Sequence, residues 1–117
     1  MKNEALIKVY LDEKDELINS LEKRLKEHFG ILKDFNNHSE KDFIQPILKC
    51  YNTVYHLCLS AFIEYDKDNK ITKVKYTYYI TLNHVDVILE EVAVEKDLET
   101  IAKEVIEASI KDLDKRI

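Results

Sequence analysis

Glycine occurs once and proline once in 117 residues, and tryptophan is absent. Phosphate-cradling loops and dinucleotide fingerprints need several glycines at fixed spacing, so nucleotide enzymes built on those loops are excluded. No apolar run approaches the roughly 20 residues that a membrane-crossing helix needs. The opening MKNEALIKVYLDEKDE lacks the apolar core and small-residue cleavage site of a signal peptide, so a cytoplasmic protein is expected. There are two cysteines, Cys50 and Cys58, and no Cys-x-x-Cys pair. Read as positions on one strand, they lie about 26 Å apart and cannot bond to each other, which suits a reducing compartment.

The chain does have charge and β-forming side chains in quantity. Hydrophobic residues make up 45% and charged residues 35%, with the signs interleaved, as expected for one globular domain over residues 1–117. The net charge of −5 is uneven. Residues 1–46 carry eight basic and ten acidic side chains, residues 47–83 five and three, and residues 84–117 five and ten. A mildly positive middle lies between acidic flanks, which argues against a general nucleic-acid binder.

That middle organises the rest. Six of the seven tyrosines fall between Tyr51 and Ile80. In LCLSAFIEY (57–65), Leu57, Leu59, Ala61 and Ile63 alternate with Cys58, Ser60, Phe62 and Glu64. In ITKVKYTYYI (71–80), Val74, Tyr76, Tyr78 and Ile80 alternate with Lys73, Lys75, Thr77 and Tyr79. This is the period of half-buried strands, and the polar DKDNK between them reads as a turn. An even loop centred on Asp68-Asn69 pairs Ile63 with Val74, Ala61 with Tyr76, Leu59 with Tyr78 and Leu57 with Ile80. On the other face it pairs Glu64 with Lys73, Phe62 with Lys75, Ser60 with Thr77 and Cys58 with Tyr79. A slip of one residue would mix the faces.

Residues 5–11 read as a short strand through Ile7, Val9 and Leu11; the competing reading is one long helix from Asn3. Residues 13–29 have helical spacing (Leu17, Ile18, Leu21, Leu25, Phe29), with Gly30 placed for a left-handed cap. Ser39–Asp42 resembles a capping box before a helical turn that Pro46 should end. Strand character resumes near Ile47. Residues 85–94 return as a strand, either with a bulge at Glu90-Glu91 that would keep Val85, Val87, Leu89, Val92 and Val94 inward or with an ordinary strand end at Glu90. Asp97 caps a helix whose apolar face runs through Leu98, Ile101, Ala102, Val105, Ser109, Leu113 and Ile117. The expected fold is α+β, a two-layer β-α-β-β-β-α with an antiparallel sheet and both helices on one face; without the first strand it is α-β-β-β-α.

The uncovered face would carry Val54, His56, Cys58, Ser60 and Phe62 beside Ile71, Lys73, Lys75, Thr77 and Tyr79. Of these, Phe62, Ile71, Lys73, Lys75, Tyr79 and His56 are the candidate partner-binding residues. The bland reading is an ordinary solvated sheet face. The functional reading is a contact surface for another protein or a second copy, with single-stranded nucleic acid on Lys73, Lys75 and Tyr79 as the alternative. A metal on His56 and Cys58 would need further ligands: Cys50 is too far along the strand, and His84 arrives only if its turn folds over the face. Asp86, Glu90 and Glu91 near His84 read as solvated strand-edge charges. No catalytic residue, metal or cofactor is expected; the reading is a non-catalytic interaction module of adaptor, inhibitor or assembly-chaperone type.

Overall fold

The structure, a computed structural model, describes residues 2–30 and 42–116. Its elements are α1 (Lys2–Asp12), α2 (Lys14–Phe29), β1 (Asp42–Cys50), β2 (Thr53–Tyr65), β3 (Ile71–Leu82), β4 (Asp86–Val94) and α3 (Leu98–Arg116). The strands form one antiparallel meander in the order β1-β2-β3-β4. The helices pack against one face of this sheet, so the fold is α+β in two layers.

The N-terminal strand expected at residues 5–11 is instead α1. Strand alternation would place Ile7, Val9 and Leu11 together, but Ile7 is buried while Val9 and Leu11 are exposed. The helical period wins because Ile7 joins the common core and Tyr10 donates a hydrogen bond to the Lys49 carbonyl at 2.6 Å. The long-helix alternative is nearer, with a break at Glu13 (φ −92°, ψ 1°) between α1 and α2. Gly30 ends α2 in right-handed geometry (φ −59°), not in the left-handed cap its composition suggested.

The Cys50–Tyr65 stretch, read as one strand, turns back at Tyr51-Asn52, so Cys50 and Cys58 sit on different strands. The extra strand this creates is β1. The helical turn expected before Pro46 falls partly on residues outside those described; from Asp42 onward the chain is strand. Pro46, which has no N–H to give, is accommodated because β1 is an edge strand and the ladder shifts between Pro46 and Leu48.

The β2–β3 pairing has all eight expected pairs, from Leu57 with Ile80 to Glu64 with Lys73. The route differs from the even loop. Tyr65 pairs with Ile71 around five residues, and a shift beside Glu64 leaves Thr72 as the extra residue. Its hydroxyl donates to the Glu64 carbonyl at 3.1 Å. Face segregation thus sets the register, and a bulge absorbs the odd loop.

Two layers share one core. Leu57, Leu59, Tyr78 and Ile80 from the sheet meet Leu21 and Leu25 of α2 and Ile101, Val105 and Leu113 of α3, all essentially fully buried. Asp97 caps α3: its Oδ1 accepts the Thr100 N–H at 2.7 Å, and these bonds hold the carboxyl below its usual pKa range. Within α3, Ser109 is buried and its hydroxyl donates to the Val105 carbonyl at 2.7 Å. Polar tips tie the layers together. The Tyr55 hydroxyl donates to Asp112 at 2.6 Å, and the Tyr78 hydroxyl donates to Glu104 at 2.8 Å. Lys96 completes the second cluster at 2.7 Å from Glu104. Burial, then the carboxylate bond, pushes the Tyr78 phenol up to about 12, so it stays a donor through the neutral range.

Scarcity of glycine is visible in the turns. Tyr51, Asn69, Asn83, His84 and Ala93 all have positive φ, between 50° and 62°. Asparagine tolerates this region; a side chain such as alanine's costs roughly 1–2 kcal/mol there. Ala93 is exposed and its N–H donates to Thr77 Oγ1 at 3.0 Å, so its methyl has no packing role. Ala93→Gly is therefore expected to stabilise the protein by about 1 kcal/mol, read as a rise in thermal midpoint.

Candidate functional site: the outer sheet face

The expected bulge at Glu90-Glu91 is not where the pairing breaks. Shifts fall between Ile80 and Thr81, opposite Ile88, and between Tyr76 and Tyr78, opposite Val92-Ala93. Leu89 and Val94 still pack on the core, but Val85, Val87 and Val92, which were expected inward, are exposed. The sheet face away from the helices therefore has more apolar surface than the alternation alone suggested.

Rows across this face follow from the register. Ile44, Cys58, Tyr79 and Glu90 form one, and Asp42, Ser60 and Thr77 the next. Phe62 with Lys75, then Glu64 with Lys73, lie toward the hairpin tip. Ile44 is 65% exposed, Val92 64%, Val87 55%, Phe62 52% and Tyr79 39%. The centre, from Cys58 to Phe62 and from Thr77 to Tyr79, has no charged side chain.

Charges lie around that centre and are met locally. Lys75 reaches Glu64 at 3.1 Å and Lys73 reaches Glu95 at 3.3 Å. The Ser60 hydroxyl donates to Asp42 at 2.9 Å. The Cys58 thiol, paired across the ladder with Tyr79, pushes its phenol above the usual range. Five of the six candidate residues, Phe62, Lys73, Lys75, Tyr79 and His56, are thus brought to one face. Ile71 is not in step with them: beyond the Thr72 bulge it pairs with Tyr65 at the hairpin tip.

The far end of the face holds a feature that spacing left conditional. The β3–β4 turn does fold over, and the His84 ring stacks on His56 with centroids 3.8 Å apart and planes 35° off parallel. Left-handed φ at Asn83 and His84 directs this turn. Asn83 locks it, its Oδ1 accepting the Val54 N–H at 2.8 Å while its own N–H donates to the Val54 carbonyl at 2.9 Å. His56 is flanked in the ladder by Pro46 and Thr81, and its buried Nδ1 has no hydrogen-bond partner among the described residues. Burial, then the charge of His84, pushes the His56 imidazole below its usual range. Among the described residues no group of three or more His, Cys, Asp or Glu is placed to hold a metal.

A lowered imidazole pKa fixes the sign of a pH effect. The unfolded chain takes up a proton near pH 6.5 while native His56 does not, so stability is full above that value. It is lost as pH falls from there toward the folded value. Thermal midpoints across that window should decline on acidification, and His56→Gln should flatten the decline.

Both sheet edges are interrupted. β1 has Pro46 and a shift beside it, and β4 has two. Such breaks blunt an edge against strand addition. No helix among the described residues is long and apolar enough to cross a membrane. Comparison with known protein families, characterised proteins and solved structures finds no match for this chain.

Proposed function

We propose that this chain is a small non-catalytic interaction module that acts inside the cell by binding another polypeptide on the outer face of its sheet. The observation that carries this reading is the one-sided layering. The helices bury one face, while the other keeps Ile44, Phe62, Tyr79, Val87 and Val92 exposed around an uncharged centre. An uncharged centre with a polar rim is the composition of a protein–protein contact. A large exposed apolar patch is otherwise uncommon on a monomer. The interrupted edges favour the face over strand addition. An adaptor, an inhibitor or an assembly chaperone would each use such a surface.

The lysines do not favour nucleic acid. Lys73 and Lys75 lie against Glu95 and Glu64, and the chain is −5 overall, so little free positive potential is left for phosphate. The test is Phe62→Asp beside Leu11→Asp, a comparably exposed residue on the helical layer. Association, measured by light scattering or capture, should be lost in the first and kept in the second. Equal effects would remove the outer face from consideration.

A further inference from the structure

We propose that the polypeptide seated on this face is a second copy of the chain. The two sheets stack face to face about a two-fold axis running between β2 and β3 and parallel to them. This rests on the reading above and names its partner. Size is the first argument. Four strands about 4.8 Å apart, at about 3.3 Å per residue from Val54 to Ser60, give a part of roughly 19 by 20 Å, and β2 and β3 run on alone to Glu64 for roughly 13 Å more. The flat projection is about 500 Å², and side-chain relief raises it toward the roughly 800 Å² per partner of a stable interface.

Charge is the second argument. Two copies of a −5 chain repel, so they must meet where like charges do not face each other. This symmetry places β2 of one copy over β3 of the other at the same level along the strands. Because Glu64 pairs with Lys73 within the sheet, the axis sets Glu64 of each copy over Lys73 of the other. It also sets Phe62 over Lys75, and Cys58 over Tyr79. Glu90, on the row of Ile44, comes over Ile44 rather than over another acid. The roughly 30° turn between stacked sheets carries Glu64 of one copy and Lys73 of the other, each about 16 Å from the middle of the face, roughly 8 Å apart across it, a span that an extended lysine and glutamate side chain together cover.

A mixing experiment tests this. Glu64→Lys alone sets lysine over lysine, and Lys73→Glu alone sets glutamate over glutamate. In sedimentation experiments each variant should dimerise at least about tenfold more weakly than the wild type. Mixed in equal amounts they should regain wild-type association, because each supplies the charge the other lacks. The variant with both changes in one chain should also dimerise, which guards against a folding defect in either single variant. A mixture no better than its components overturns the two-fold arrangement. A wild type that stays monomeric at high concentration overturns the second copy. If that monomer still captures a different protein in a Phe62-dependent way, the outer-face reading stands without self-pairing. Dimers that survive Phe62→Asp and both charge variants would overturn this inference and that reading together.

Discussion

Tyr55→Ala is expected to cost about 3–5 kcal/mol, the range for removing a large buried aromatic side chain. Tyr55 has no solvent exposure and sits on the inner face of β2. Its hydroxyl donates to Asp112 near the end of α3, where Arg116 also holds Asp112 at 2.7 Å. The substitution opens a cavity and cuts the polar link between sheet and helix. Domains of this size are stable by about 5–15 kcal/mol, so the variant should be near its folding limit at ambient temperature. Tyr55→Phe separates the two contributions. It keeps the ring and should cost only about 1 kcal/mol, because Arg116 still satisfies the carboxylate. Chemical denaturation of both variants measures the difference directly.

Phe62→Asp is expected to do the reverse: small on folding, large on association. Phe62 is more than half exposed, on the same strand as Tyr55 but on the opposite face. Its loss removes no core contact, and the new carboxylate lies across from Lys75. Aspartate's poor strand propensity limits the fold cost to about 1 kcal/mol. In the proposed contact, Phe62 is the aromatic anchor of an uncharged centre, and truncating such anchors costs at least about 2 kcal/mol, or roughly thirtyfold in affinity. Thermal melting and sedimentation on one preparation check both halves.

The faces of the β2–β3 hairpin were legible because each of eight pairs agrees with the others, leaving only one register. The α3 helix was legible for a similar reason, with Asp97 at one end and an apolar stripe behind it. What was not legible depended on distant contacts or on backbone geometry. Ile7, Val9 and Leu11 fit a strand while Ile7, Leu11, Ile18 and Leu25 fit a helical stripe, and the helix is held by Tyr10 reaching Lys49, 39 residues away. The reversal at Tyr51-Asn52 has a tyrosine at φ 53°, a residue that gives no turn signal. The bulges at Ile88 and Ala93 carry no glycine, so nothing in the string VDVILEEVAV marks them. The outer face is therefore legible over Cys58–Glu64 and Lys73–Tyr79 but not at Ile71, which the Thr72 bulge takes out of step, and it carries more apolar surface at β4 than alternation shows. Spacing alone does not bring His84 onto His56, because the stack needs two consecutive left-handed residues at Asn83 and His84.

The claim that the bare sheet face is where copies meet is tested most directly by alkylation of the native thiols. Cys58 is half-buried on that face against Tyr79, while Cys50 is buried in the core under the helices. Cys58 should react readily in dilute protein and slow as concentration rises into the range of association, with Cys50 slow throughout. A Cys58 rate that does not change across a concentration range over which the protein associates would contradict it.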